Sequence, residues 1–491
     1  MINRDTIEAL AKRSTKAMDQ ALLKSKAERA GLLRGMADEI EALGDELLQT
    51  ASAESNLPIV RFQGERGRTC SQLRMFADAI QNGSYEEAVI DTAIQDRQPL
   101  PKPDLRSALV PIGPVVVFGA SNFPLAYSTA GGDTASALAA GCSVIYKAHP
   151  AHPKTSAIVA AALAAAIKKH GFPQDLFIHF EARDFEEVKI LVQHSAIKAV
   201  GFTGSLKGGM AIHEYAQRRK DPIPVFAEMG SVNPVLLLPS ALRLGANQWA
   251  ETYAAAITVG VGQFCTNPGL LFGIKGAELD NFKDTLAQKI EQIRDFKMLN
   301  EGIFQNFVDR KTIVTGSKGV AVLAQVAPSA EGTGTPVVAT VKADEFRAQS
   351  TLHEEVFGPF SLLVECEDVA DILSCIAVLG GQLTSTIVAA EQDEMIVNTL
   401  MPILTQKAGR VIYNGVPTGV EVCDAMVHGG PFPATTDARF TAVGNKAIRR
   451  WLRPVAFQNW PEHLLPSCLR NENPNGSWRT INGLFTQGNV E

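Results

Sequence analysis

The segment GVGQFCTNPG, residues 260–269, sets a cysteine between small residues and an Asn-Pro-Gly turn. A thiol acts as a nucleophile in its thiolate form, when substrate can reach it and nearby donors stabilise the charge. Cys265 has Gln263 and Thr266 beside it in a glycine-bounded loop, whereas Cys142, Cys366 and Cys375 lie in apolar runs and are expected in the core. Three other segments put polar groups near the ends of strand-like runs. GASNFP places Asn122 just past one, FAEMGSVNP places Glu228 at the end of another, and HEEVFGPF sets Glu354 and Glu355 before a Phe and a Gly-Pro turn. Ligands collect past the carboxyl ends of strands in open α/β folds, so these positions suit a site. Each also has a plainer reading: Asn122 as a turn residue, Glu228 as a capping carboxylate, Glu355 as a solvated charge. GFTGSLKGG, residues 201–209, ends a strand in glycines and opens a helix whose free N–H groups can face an anion, or is an ordinary strand-to-helix turn.

The elements that position these residues alternate. From Val115, VVVFGASNFP reads as a buried parallel strand feeding a loop, followed by an Ala-rich helix over Tyr127–Ala140. CSVIYKAHP, DLFIHF, KAVGFTGS and PIPVFAEMG repeat the strand pattern, with helices between them. This alternation predicts a doubly wound parallel sheet. No strand is followed by G-x-G-x-x-G. A second alternating region starts near Pro234 and runs to about residue 425. The N-terminal hundred residues read as helices, with helical apolar spacing over Ala30–Leu48 and Thr69–Ile80. DRQPLPKPDLRSALVPIGP carries five prolines and suits edge strands in an arm, with the Pro-rich tail RPVAFQNWPEHLLPSCLR as its partner.

At 491 residues the chain has length for two or three domains. A net charge of −6 gives no electrostatic case for nucleic acid or an anionic membrane. Residues 1–30 are charged throughout and lack the apolar stretch of a secretory signal, and the Ala-rich run Ser156–Ile167 is too short to span a bilayer. Seven cysteines spread along the chain form no disulfide framework, and none pairs as C-x-x-C near a histidine, so no metal site is expected. These features predict a soluble cytoplasmic protein.

Taken in order, Asn-Phe-Pro, a strand-end Lys, Phe-Thr-Gly-Ser, Glu-x-Gly, Gly-Gln-x-Cys and Glu-Glu-x-Phe-Gly-Pro resemble the motifs of the aldehyde dehydrogenase superfamily over essentially the whole chain. The resemblance implies an α/β fold with a Rossmann-type parallel-sheet dinucleotide-binding domain (1–95 and 113–228), an α/β catalytic domain (229–440), and a small β oligomerisation arm and tail (96–112 and 441–491). It implies Cys265 as nucleophile toward an aldehyde, Asn122 and the Cys265 backbone N–H as oxyanion hole, and Glu228 as the base that activates water to hydrolyse the thioester. It implies a dinucleotide held by Lys147 and Glu355 at the ribose hydroxyls, Phe357 at the nicotinamide ribose, and Gly204 and Ser205 at the pyrophosphate.

Two departures narrow the reading. NAD-preferring members often carry a Glu three residues after the lysine, and here Pro150 stands there. Loss of that carboxylate removes repulsion toward a 2′-phosphate, so NADP is expected to be preferred with NAD possible, and Arg183 is a candidate phosphate partner. In place of the usual Gly-Gly-x-Lys-x-Ser-Gly, the chain has VHGGPFPATTDARFTAVG, which resembles the NADP-linked α-ketoglutaric semialdehyde branch and its fatty-aldehyde relatives. For a semialdehyde, Arg68 and Gln72 would face the substrate entrance, with Phe123 and Phe264 as apolar tunnel walls. The alternatives are a medium- or long-chain aldehyde as substrate, or a noncatalytic nucleotide-binding or structural protein. The arm and tail suggest a homodimer or homotetramer.

Overall fold

The computed structural model describes residues 4–491. Four helices come first: Arg4–Ala21, Lys26–Ala42, Gly44–Ser55 and Ile59–Asn82. The helical spacing over Ala30–Leu48 is shared between the second and third helices, which meet at Leu43–Gly44, where Gly44 takes the left-handed φ of 57°. Thr69–Ile80 lies inside the fourth helix, whose buried Phe62, Thr69, Leu73, Phe76 and Ile80 recur at helical spacing and turn one face to the core.

The first sheet comprises β1 (Val115–Phe118), β2 (Val144–Lys147), β3 (Phe177–Phe180), β4 (Ala199–Thr203) and β5 (Val225–Glu228). All are parallel, in the order β3-β2-β1-β4-β5. Every residue of β1 and of β5 is buried, as continuous apolar runs covered by helices on both faces should be. The order reverses between β1 and β4, so the strand ends carrying Asn122, Lys147, Gly204 and Glu228 surround one crevice. After β1 the helix starts only at Gly132, not Tyr127. The backbone N–H groups of Leu125 and Ala126 donate to the buried Glu65 carboxylate instead of entering a helix ladder, which fixes the Asn122 loop against the fourth helix.

The second sheet holds β6 (Val235–Leu237), β7 (Leu270–Ile274), β8 (Ala321–Gln325), β9 (Val337–Lys342), β10 (Phe360–Cys366), β11 (Gln382–Val388) and β12 (Ala408–Tyr413). Its order is β8-β9-β10-β7-β6-β11-β12, parallel except at the edge strand β8. A third sheet pairs Leu105–Pro111 antiparallel with the tail strand Leu452–Gln458. Ala88–Asp91, within the stretch read from sequence as dinucleotide-binding, also lies in this sheet, beside Arg479–Ile481. Residues 434–436 return to the first sheet: Met229 N donates to Ala434 O, and Thr435 bridges Glu228.

The cysteine loop is set by a left-handed turn. Gly260, Val261 and Gly262 take φ of 57°, 59° and 63° in succession, a conformation foreign to a β-branched residue and open to glycine. A Cβ on Gly262 would stand 2.3 Å from the backbone of Gly358, so the segments carrying Cys265 and Glu355 meet backbone to backbone there. Replacing Gly262 with Ala is expected to cost about 3 kcal/mol of stability, from left-handed strain plus overpacking, and to lower turnover by separating the two segments. Denaturant melts and initial rates on the same preparation check both effects.

Candidate active site

Cys265 lies on the coil after that turn. Its carbonyl accepts from Asn233 Nδ2 at 2.9 Å, and Asn233, fully buried, is fixed in turn by Ser231, Gln382 and Thr384. The Cys265 Sγ is 3.8 Å from His428 Nε2. On the other side of the imidazole, Nδ1 is 3.2 Å from Glu228 Oε2. That approach is out of line for a hydrogen bond, and both Glu228 oxygens are buried without a partner. Asn122 Nδ2 donates to Gln263 O at 3.1 Å, which anchors the amide beside the thiol and leaves its second N–H free.

Burial sets the electrostatics. The Glu228 carboxyl is pushed up to about 7, by desolvation first and then by repulsion from Asp133, against the pull of Arg450 and Cys265. Desolvation, then the charges of Arg410 and Arg68, press His428 down to about 3, so its imidazole is neutral. The Cys265 thiol is raised well above its ordinary value by burial and by the Glu228 and Glu355 carboxylates. A thiol held neutral needs a base to become a nucleophile. In the tautomer protonated at Nδ1, His428 turns Nε2 to the thiol and Nδ1 to the Glu228 side without a hydrogen bond, but pressed to about 3 it orients the thiol and is too weak a base to keep its proton. His428 was missed in the sequence, where its HGG context registered only as a departure from a glycine-rich segment.

From this trio a cleft of about 490 Å³ runs along the crevice of the first sheet, lined by Asn122, Phe123, Lys147, His149, Pro150, Gly204, Ser205, Glu355 and Phe357 among others. Lys147 has no ion-pair partner among the described residues, and burial alone lowers its pKa. Glu355 is raised by burial to about 8 and takes the Ser231 N–H; a Cβ on Gly230 would meet its Oε2 at 2.5 Å. Ser205 caps the helix Leu206–Gln217 by accepting from Gly208 N, which points that helix's amino end into the cleft. The Gly204 N–H is already given to Glu228 O at 3.0 Å, so Gly204 supplies room and not a donor. An unpaired cation, a helix amino end and a buried carboxylate along one crevice fit a dinucleotide.

Five expected residues remain to be placed. Arg183 is tied to Glu187 through its backbone N–H and guanidinium and does not line the cleft. Gln72 is 2% exposed and packs toward Gly132, away from any entrance. Phe123 and Phe264 meet edge to face at 5.5 Å, but the Arg61 guanidinium lies over both rings, so they form a cation-bearing wall and not a bare apolar one. Arg68 is half-buried, donating to Tyr127 Oη and Val420 O, each at 2.9 Å.

Residues 1–431 match the sequence profile of the aldehyde dehydrogenase family. The chain belongs to the aldehyde dehydrogenase family. It is 47% identical over 469 residues to alpha-ketoglutaric semialdehyde dehydrogenase 2 of Azospirillum brasilense, covering 95% of this chain and 89% of that one. It is 45% identical over 491 residues to the alpha-ketoglutaric semialdehyde dehydrogenase of Acinetobacter baylyi, covering 96% and 91%. Among solved structures, the 1-pyrroline-5-carboxylate dehydrogenase of Thermus with bound NAD shares the fold at a TM-score of 0.78 and 20% identity, over 93% of this chain and 86% of that one. In this aldehyde dehydrogenase no helix among the described residues is long and apolar enough to cross a membrane.

The burial of Glu228 predicts a stability effect. Its proton is held to about pH 7 in the folded chain against an ordinary 4.5, so the carboxylate's burial weakens the fold progressively as pH rises between those values. At about 1.4 kcal/mol per pH unit, the loss is about 3 kcal/mol at pH 7 and changes little above it. Glu228→Gln is therefore expected to be more stable than the parent at pH 8 by up to about 3 kcal/mol and equal to it near pH 4.5, as denaturant melts at the two pH values will report.

Proposed function

We propose that the chain oxidises 2-oxoglutarate semialdehyde (2,5-dioxopentanoate) to 2-oxoglutarate with a nicotinamide dinucleotide, NADP in preference to NAD. The observation that carries the chemistry is Cys265 and Glu228 together on the wall of the cleft, with His428 against both. Nε2 of His428 orients the thiol, whose proton passes to solvent in the cleft, and the Cys265 thiolate attacks the aldehyde carbon. The oxyanion faces the free N–H of Asn122 and the backbone N–H of Cys265, donors already anchored before reaction. The dinucleotide, held by Lys147, Glu355, Phe357 and the helix end at Ser205, supplies the hydride acceptor. Loss of hydride leaves a thioester on Cys265. Glu228, ionised above about 7, takes a proton from water, whose oxygen displaces the thiolate and releases the acid. The thiol, imidazole and carboxylate atoms also lie within 4.8 Å of one another, as a divalent ion would need, but a thiolate spent on a metal would be lost to attack.

Support for NADP comes from the Lys147–Pro150 end of the cleft. Among the described residues, the carboxylates lining the cleft are Glu228 and Glu355, both near Cys265, so none of them stands at that end to repel a 2′-phosphate. With Arg183 held by Glu187, the cation for that phosphate is Lys147. Support for the semialdehyde comes from the named activity of the two relatives above and from Arg68, a cation that donates to the hydroxyl of Tyr127 in the cleft wall. Although the Arg61 guanidinium lies over Phe123, the ring surface that Phe123 and Tyr127 give the cleft favours a second reading, an uncharged aliphatic aldehyde. We place the enzyme in the cytoplasm as a homodimer or homotetramer, assembled through the arm sheet.

Initial rates of NADPH formation with the semialdehyde and with pentanal test this reading. The expected kcat/KM is at least about tenfold higher for the semialdehyde, as a charge-assisted contact requires, and higher with NADP than with NAD. Equal or better turnover of pentanal would overturn the semialdehyde assignment.

A further inference from the structure

Two guanidinium groups lie near Cys265 and His428, behind Tyr127 of the cleft wall and along the segment 417–420, and neither has a carboxylate partner among the described residues. Arg410 stands on β12 directly beside Thr384 of β11 in the parallel register. Thr384 Oγ1 donates to Asn233 Oδ1 at 3.0 Å, and Asn233 Nδ2 holds the Cys265 carbonyl, so a short chain of contacts joins Arg410 to the nucleophile's backbone. Arg68 arrives from the helix Ile59–Asn82. Its partner Tyr127 has its ring 6.1 Å from that of His428.

The segment 417–420 hangs between the two arginines by its carbonyls. Arg410 donates to Gly419 O at 3.1 Å and to Pro417 O at 2.6 Å, and Arg68 donates to Val420 O. Carbonyl oxygens orient a guanidinium without neutralising it, and each group keeps N–H donors to spare. The Nε of Arg68 is buried without an acceptor. Nearby carboxylates are engaged elsewhere: Glu65 with Leu125 and Ala126, Glu228 opposite His428, and exposed Glu421 with its neighbour's N–H at Val422. Two oriented, uncompensated guanidinium groups beside a nucleophile make a site for an anion that arrives with the substrate.

We propose that Arg410 and Arg68 together bind the carboxylate at the far end of the substrate, with Arg410 the specificity-determining residue, so that the enzyme selects short aldehydes ending in a carboxylate. The proposal rests on the semialdehyde reading and names the residues that would recognise it. A 2-oxo acid adds a ketone oxygen next to the carboxylate, a second acceptor for the same fork of donors.

The test compares Arg410→Met with the parent enzyme on the semialdehyde and on pentanal. The ratio of their kcat/KM values is expected to fall about a hundredfold, mostly through KM for the semialdehyde, because the lost contact is made equally before and during reaction. Arg410→Lys, which keeps the charge and loses the fork, should fall between the two and covers the case in which the Met variant does not fold. A proportionate loss on both substrates would mean that Arg410 only supports the 417–420 segment, and would overturn the proposal. Inhibition of pentanal oxidation by 2-oxoglutarate separates this proposal from the semialdehyde reading. If the parent shows no preference for the semialdehyde, that reading fails. The anion site still stands if 2-oxoglutarate inhibits the parent and loses about a hundredfold in potency on Arg410→Met, and falls if the inhibition is unchanged.

Discussion

Glu228 ends its strand with a carboxylate that no hydrogen bond satisfies, in a position where water is largely excluded. The other parts of the site are arranged around that uncompensated group. Its burial places a proton acceptor near neutrality, its negative charge helps to keep the neighbouring thiol protonated, and its position opposite Nδ1 favours the histidine tautomer that leaves Nε2 free. A hydrogen-bonded or exposed carboxylate would stay ionised at neutral pH and would be a weaker base.

Two sheets make the arrangement possible. Glu228 comes from the carboxyl edge of the first, while the cysteine loop is clamped to the second through Asn233 and its partners on β11. His428 comes from a third direction, on a segment that the Thr441 hydroxyl and the Ala442 N–H hold to its neighbours and whose continuation pairs back onto the first sheet. Three elements distant in sequence thus converge on a few ångströms. The left-handed turn at Gly260–Gly262 is the local distortion that lets the thiol reach that point.

Much of this was legible in the sequence because it is carried by short, ordered patterns. The buried strands read as apolar runs, and their ends delivered Asn122, Lys147 and Glu228 to one crevice. Cys265 stood out from the core cysteines by its glycine-bounded loop. What could not be read depends on contacts between distant segments. His428 and Arg410 have ordinary neighbours in sequence, and only the return of residues 428–442 and the β11–β12 register bring them to the thiol. Gln72 and Arg183 failed for the converse reason. Helical spacing does not tell a buried face from an open one, and a carboxylate four residues away claimed the arginine. The helix start after β1 was misjudged because Glu65, sixty residues upstream, draws off the backbone donors of that turn.

The claim on which the account turns is that Cys265 carries the acyl group and Glu228 releases it. The most direct measurement is mass spectrometry of the Glu228→Gln variant quenched after mixing with aldehyde and NADP, followed by peptide mapping. An acyl adduct is expected, confined to the peptide containing Cys265, formed together with one equivalent of NADPH and persisting because the base is missing. NADPH formation with no adduct on that peptide, or with the adduct on another cysteine, would contradict it.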